Sequence, residues 1–255
     1  MSRYHQKRIN RRRFNKGLLP NLFTVFNMFL GFLAIGLLIQ GEPINACWII
    51  LIAGAMDAVD GKLARLLGLS SRFGTEFDSF ADTISFCVAP SVLVYTTWVN
   101  DFPLFFAIII SFIPLLFGTI RLARFNLIPL DEKKPYFIGL TTPLSAITTF
   151  GYLLFNFHLF GTVGDQRIAL ILVFILGVLL VSPIRFGTVP LLSIKQGRKN
   201  NLRLIAFILT GFLVLFSKGI VLFPMLMIYI VWNTINWIMH PHVIDDLPTI
   251  QEKEI

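Results

Sequence analysis

"MDAVDGKLARLLGLSSRFGTEFDSFAD", residues 56–82, places aspartates at positions 57, 60, 78 and 82 between two apolar runs. On a helix, Asp57, Asp60, Gly61 and Ala64 stand at i, i+3, i+4 and i+7 and so share one face. Gly74, Asp78 and Asp82 stand at i, i+4 and i+8 and share another. The connection "RLLGLSSRF" is short enough to make the two helices antiparallel neighbours, which predicts a hairpin whose acidic faces meet at one depth. Its flanks, "ACWIILIAGA" before and "TISFCVAPSVLVYTTWV" after, embed that hairpin in a bundle of hydrophobic helices.

The rest of the chain follows the flanks. Hydrophobic residues make up 55% of the 255, with 26 Phe, and mean hydropathy is +0.75. Burying a core is easy for such a chain; staying dissolved in water is not. A hydrocarbon layer about 30 Å thick takes about 20 apolar residues per helix. The sequence therefore predicts an all-α polytopic membrane protein with about eight transmembrane helices, over residues 18–39, 44–67, 75–99, 103–125, 137–157, 168–186, 204–217 and 219–239. Lys218 and Gly219 mark either a tight hairpin or a kink between the last two. The runs are continuous rather than alternating, which argues against a barrel. Residues 1–17 form a basic juxtamembrane segment, 18–240 a single transmembrane catalytic domain and 241–255 a polar tail.

The formal net charge is +8, and its distribution sets an orientation. With the amino terminus cytoplasmic, every Lys and Arg except Arg167 and Lys218 falls on the cytoplasmic side or at its membrane edge. The positive-inside rule then puts both termini and the four aspartates at the cytoplasmic face. A basic run immediately before a span, "RYHQKRINRRRFNKG", suits anionic lipid headgroups rather than nucleic acid. No small-x-small site closes the first apolar run as a secretory signal would. Cys47 and Cys87 are single and lie in apolar spans, as small buried hydrophobes do, and His5, His158, His240 and His242 make no ligand cluster with them. Pro90, Pro114, Pro143, Pro183 and Pro224 are expected as packing kinks within spans. Gly31, Gly36 and Gly54 are expected where backbones approach closely.

Four ionised carboxylates at a membrane edge repel one another and are costly near hydrocarbon, so cations belong among them. With no His or Cys in the set, all-oxygen ligation points to hard divalent ions, Mg²⁺ or Mn²⁺, with Ca²⁺ as a substitute. Two ions sharing four carboxylates is an arrangement used for phosphoryl transfer. Gly61, Ala64 and Gly74 clear space for a phosphate or nucleotide against backbone, and Arg65 offers it a planar fork.

These residues read D-x2-D-G-x2-A-R-x8-G-x3-D-x3-D without departure: Asp57, Asp60, Gly61, Ala64, Arg65, Gly74, Asp78, Asp82. The pattern is the signature of the CDP-alcohol phosphatidyltransferases, which the chain resembles. The resemblance implies that the aspartates hold two divalent metals, that metals and glycines hold a CDP diphosphate, and that Asp82 is also the general base. "PNLFTVFNMFLGFLAI" (20–35), "IRLARFN" (120–126), "FIGLTTPLSA" (137–146) and "VSPIRF" (181–186) look like the corresponding segments of the integral-membrane phosphatidylserine synthase branch. Thr141 stands where that branch commonly has proline. The branch implies CDP-diacylglycerol and L-serine as substrates, membrane lipids as surroundings, and a homodimer.

Other readings stay open at this level. Glycerol 3-phosphate or an inositol compound is an alternative acceptor. A divalent-cation transporter would use the same aspartates, but it has no need of Gly61, Ala64 and Arg65 in nucleotide register and releases no CMP. Arg121, Arg124 and Arg185 serve either as topology anchors or as partners of the acceptor carboxylate or lipid phosphate. Asn21, Thr24 and Asn27, at helix spacing, form a polar face toward the nucleotide or bond between helices.

Overall fold

The computed structural model describes residues 22–66, 72–127, 136–187, 209 and 211–239, with the side chains of 59–66 and 72 outside that description. Helix α1 (Leu22–Ile39) ends in a turn at Gly41, whose φ is +79°. The Glu42 amide reaches back to the Leu37 carbonyl at 2.9 Å, the six-to-one bond of a Schellman cap, which needs a left-handed residue at Gly41. Pro43 then opens α2 (Pro43–Leu66), where its missing amide costs nothing.

The next membrane helix is continuous over Phe73–Thr97 but is wound in three parts: α3 (Arg72–Asp82), a π-helical turn (Thr83–Val88) and α4 (Ala89–Thr97). Helices α5 (Leu104–Ser111) and α6 (Ile113–Asn126) form one rod broken at Phe112. Pro114 causes the break, and the Leu115 amide bonds to Ser91 Oγ of α4 at 3.1 Å instead of to its own helix.

Two of the expected spans are shorter than the apolar runs that suggested them. Residues 137–157 do not form one helix: β1 (Tyr136–Ile138) comes first and α7 (Thr142–Phe160) starts at Thr142, with Pro143 in its first turn rather than as a mid-span kink. Residues 168–186 likewise divide into α8 (Gln166–Val181) and β2 (Arg185–Gly187). Ser182 is extended, at φ −69° and ψ 157°, because the residue before a proline avoids helical geometry, so Pro183 ends the helix instead of kinking it. The strands pair antiparallel, Phe137 opposite Phe186 and Ile138 opposite Arg185, and add a small ladder to an otherwise helical fold.

Residues 211–216 belong to α9, and α10 (Leu222–Met239) follows after a tight turn in which Lys218 and Gly219 both have positive φ. The helix breaks at this turn rather than running on as one kinked segment. Residues 204–208 and 210 of the expected seventh span, with all of 1–17 and 241–255, lie outside the described residues.

Among the described residues, four helices are long and apolar enough to cross a membrane: Leu22–Ile39, Phe73–Thr97, Leu104–Asn126 and Leu222–Met239. Large apolar side chains stand exposed along them and along α8, Phe32, Phe105, Ile171 and Ile228 among them. A soluble protein does not carry so much apolar surface, whereas hydrocarbon covers it. The core lies inside this ring, where Ile50, Leu93, Phe150, Leu153 and Leu176 are wholly or almost wholly buried. Gly54 packs on Ile147 and Gly31 on Ser85, as expected of close approaches; Gly36 meets nothing within 4 Å and faces open space.

Candidate active site

Three of the four aspartates come together in the structure. Carboxylate oxygens of Asp57, Asp78 and Asp82, one from each, lie within 4.8 Å of one another. Asp57 projects from α2, while Asp78 and Asp82 stand one turn apart on a single face of α3. Asp82 is 9% exposed. Asp60, Gly61, Ala64 and Arg65 lie in the last turns of α2, but their side chains are outside the described residues. Gly74 sits half-buried in the first turns of α3.

Two unit charges 4.8 Å apart repel by about 3.5 kcal/mol at an effective dielectric of about 20. The cluster is therefore costly without counter-charge, and its donors are all oxygens at the spacing a shared cation needs. These residues fit a hard divalent ion.

The structure also separates three arginines that the sequence had grouped. Arg121, on α6, is 8% exposed and lies in the field of Asp82 and Asp57. Its Nη1 donates to Thr142 Oγ1 at 3.4 Å, and its guanidinium sits 5.8 Å from the Phe125 ring centroid. Its Nε has no hydrogen-bond partner among the described residues. Arg124, one turn on, is exposed and donates to the Val181 carbonyl, tying α6 to the end of α8. Arg185 is on β2, its guanidinium 4.5 Å from the Tyr136 ring centroid, in a pocket shared with Asn233, Asn236 and Trp237 of α10.

On α1, Thr24 is 6% exposed and Asn27 fully buried. The Asn27 carbonyl accepts from Ser85 Oγ at 3.0 Å, so this face packs on the turn that follows Asp82. The Asn27 side-chain amide has no hydrogen-bond partner among the described residues. Asn21 lies outside them.

Sequence reasoning missed two residues that shape this region. Thr142 holds Arg121, and Asn126 donates to Ser79 Oγ at 3.0 Å and to exposed Glu76 at 3.4 Å, pinning α6 to α3. Both sit in the stretches "FIGLTTPLSA" and "IRLARFN", which had stood out as segments without assigning a role to either residue. Cys47 and Cys87 are free and buried, as expected.

The CDP-alcohol phosphatidyltransferase family model matches residues 17–240. The CDP-diacylglycerol–serine O-phosphatidyltransferase of Helicobacter pylori is 35% identical over 224 residues, covering 87% of this chain and 91% of that protein. The Mycobacterium leprae protein of the same name is 29% identical over 229 residues, covering 87% and 73%. The archaetidylserine synthase of Methanothermobacter thermautotrophicus is 35% identical over 173 residues, covering 67% and 70%. With an unbroken signature and its aspartates gathered beside a buried arginine, the chain belongs to the CDP-alcohol phosphatidyltransferase family.

Proposed function

We propose that this protein transfers the phosphatidyl group of CDP-diacylglycerol to L-serine, giving phosphatidylserine and CMP. The observation that carries the reading is the meeting of Asp57, Asp78 and Asp82 in an all-oxygen cluster flanked by Arg121. The names of the relatives supply the substrates, and they favour transfer over cation transport.

Asp57, Asp60, Asp78 and Asp82 would hold two divalent ions, Mg²⁺ or Mn²⁺, which when bound supply positive charge for the diphosphate. Asp82 accepts the serine hydroxyl proton as that oxygen bonds to the β-phosphorus. The bond from this phosphorus to the CMP oxygen breaks, and CMP departs with the electron pair. Gly61, Ala64 and Gly74 give the diphosphate room, Arg65 grips it, and Asn21, Thr24 and Asn27 face the nucleotide. Arg121, Arg124 or Arg185 would bind a phosphate oxygen or the serine carboxylate.

In our reading the chain crosses the membrane about eight times, with the basic amino-terminal segment, both termini and the site cytoplasmic and with two copies forming a dimer. CDP-diacylglycerol enters sideways from the leaflet.

An acceptor panel tests the assignment: purified protein, CDP-diacylglycerol, Mn²⁺, and labelled serine, glycerol 3-phosphate or inositol phosphate. Serine alone is expected to be consumed with CMP release, and equal rates with glycerol 3-phosphate would remove serine. If serine binds through its carboxylate, Lys in place of the responsible member of Arg121, Arg124 and Arg185 is expected to raise the KM for serine more than that for CDP-diacylglycerol, because Lys lacks the bidentate fork, and a loss confined to CDP-diacylglycerol use assigns that arginine to the lipid phosphate.

A further inference from the structure

The helix that carries Asp78 and Asp82 changes its winding immediately after Asp82. Over Thr83–Val88 it is π-helical, and the Ala89 amide bonds to the carbonyl of Ile84, five residues back. Such turns are rare and concentrate at functional sites. A π turn holds about one residue more than an α turn, and one residue is worth about 100° of rotation at 3.6 residues per turn. Downstream, α4 is locked into the core, with Leu93 and Val94 fully buried and Ser91 Oγ accepting the Leu115 amide. With α4 held, rewinding this turn as α would swing Asp78 and Asp82 away from Asp57.

Two glycines bear on the turn from opposite partners. A Cβ on Gly31 of α1 would lie 2.3 Å from Ser85 Oγ and 2.7 Å from Ser85 Cα. A Cβ on Gly118 of α6 would lie 2.4 Å from Cys87 Sγ. Between them, Phe86 packs in a small cluster with Leu30, Ala53 and Ala146. The Ser85 hydroxyl is tied to the Asn27 carbonyl, and the Thr83 hydroxyl braces the junction by donating to Ser79 O at 2.8 Å. Gly118 also sets the depth of Arg121, one turn further along α6.

We propose that the π turn at Thr83–Val88, clamped between Gly31 and Gly118, is the device that aims Asp78 and Asp82 at Asp57, making Gly31, Ser85 and Gly118 positioning residues for the divalent-ion site. The proposal rests on the metal reading of the aspartates. A methyl group on Gly118 makes Cys87 Sγ, packed in the turn, give way by about 1 Å, and functional constellations tolerate about 0.5 Å. Changes just behind metal ligands commonly cost 10–100-fold in metal affinity.

The test is Mn²⁺ affinity of the purified full-length protein, read by the loss of the free-ion paramagnetic resonance signal, beside melting temperature in chelator. Gly118→Ala is expected to weaken Mn²⁺ binding by about tenfold or more. Cys87→Ala alone should bind normally, and Gly118→Ala with Cys87→Ala should return to within about twofold of wild type, because removing Sγ leaves Cys87 Cβ at 3.2 Å and Thr142 Cγ2 at 3.7 Å. Gly31→Ala should not be rescued by Ser85→Ala, since the backbone contact with Ser85 Cα at 2.7 Å remains when Oγ is removed. Wild-type Mn²⁺ affinity in folded Gly118→Ala overturns the proposal, as does a weakened affinity that Cys87→Ala fails to restore. If Gly118→Ala does not fold, Ser85→Ala decides: it removes the bond to Asn27 without crowding, and unchanged affinity overturns the clamp. Absence of Mn²⁺ binding in the wild type would instead sink the metal reading, and the proposal with it.

Discussion

Asp78→Asn removes one charge from the acidic cluster at nearly constant shape, and its two expected effects run in opposite directions. With carboxylate oxygens within 4.8 Å, the substitution abolishes two of the three repulsive pairs, each about 3.5 kcal/mol at an effective dielectric of about 20. Arg121 and side-chain relaxation already absorb most of that. A gain of about 1–3 kcal/mol is left for the metal-free protein, the familiar surplus when a strained functional group is neutralised. Melting in chelator should therefore rise by about 2–4 °C for each kcal/mol gained. In Mn²⁺ the order reverses: wild type gains stability by binding the ion, and Asp78→Asn gains little. The assay is thermal unfolding of both proteins in one detergent, with chelator and across a Mn²⁺ titration, followed by CMP release. A metal-free Asp78→Asn that melts below wild type refutes the crowding argument. An equal Mn²⁺-induced shift refutes Asp78 as a ligand.

Asp82→Asn should insert and fold yet lose turnover, because it removes both a charge for the ions and the acceptor of the serine proton; ordinary CMP release at saturating Mn²⁺ would remove that role. Single cysteines at Lys134 and Lys199 should react with an impermeant thiol reagent only from the cytoplasmic side, and labelling from outside would overturn the orientation. The native Cys47 and Cys87 are 0% exposed and should stay silent. Gly139→Ala should destabilise the protein by more than about 1 kcal/mol, since φ there is +75° and a Cβ would lie 2.4 Å from the Leu180 carbonyl oxygen; a wild-type melting temperature would contradict it.

The acidic hairpin was readable in the linear sequence because i, i+4 spacing and a short connection are local geometry: once Asp78 and Asp82 are helical they must share a face. The apolar runs announced the membrane for a similar reason, since hydropathy sums over neighbours in the chain. The ends of those runs were misread at residues 137–141 and 182–186, where a positive φ at Gly139 and the extended Ser182 before Pro183 stop the helix although hydrophobicity continues. Three-residue strands that find each other across the intervening helices leave no periodic trace. Nor did anything in the chain separate Arg121 from Arg124, three residues apart on one helix. Burial beside Asp82 for one and exposure for the other depend on how α6 lies against α3 and α7. The π turn and its glycine clamp belong to the same class. Their register is set by how closely α1 and α6 can approach Ser85 and Cys87, a steric condition that arises only when distant helices pack.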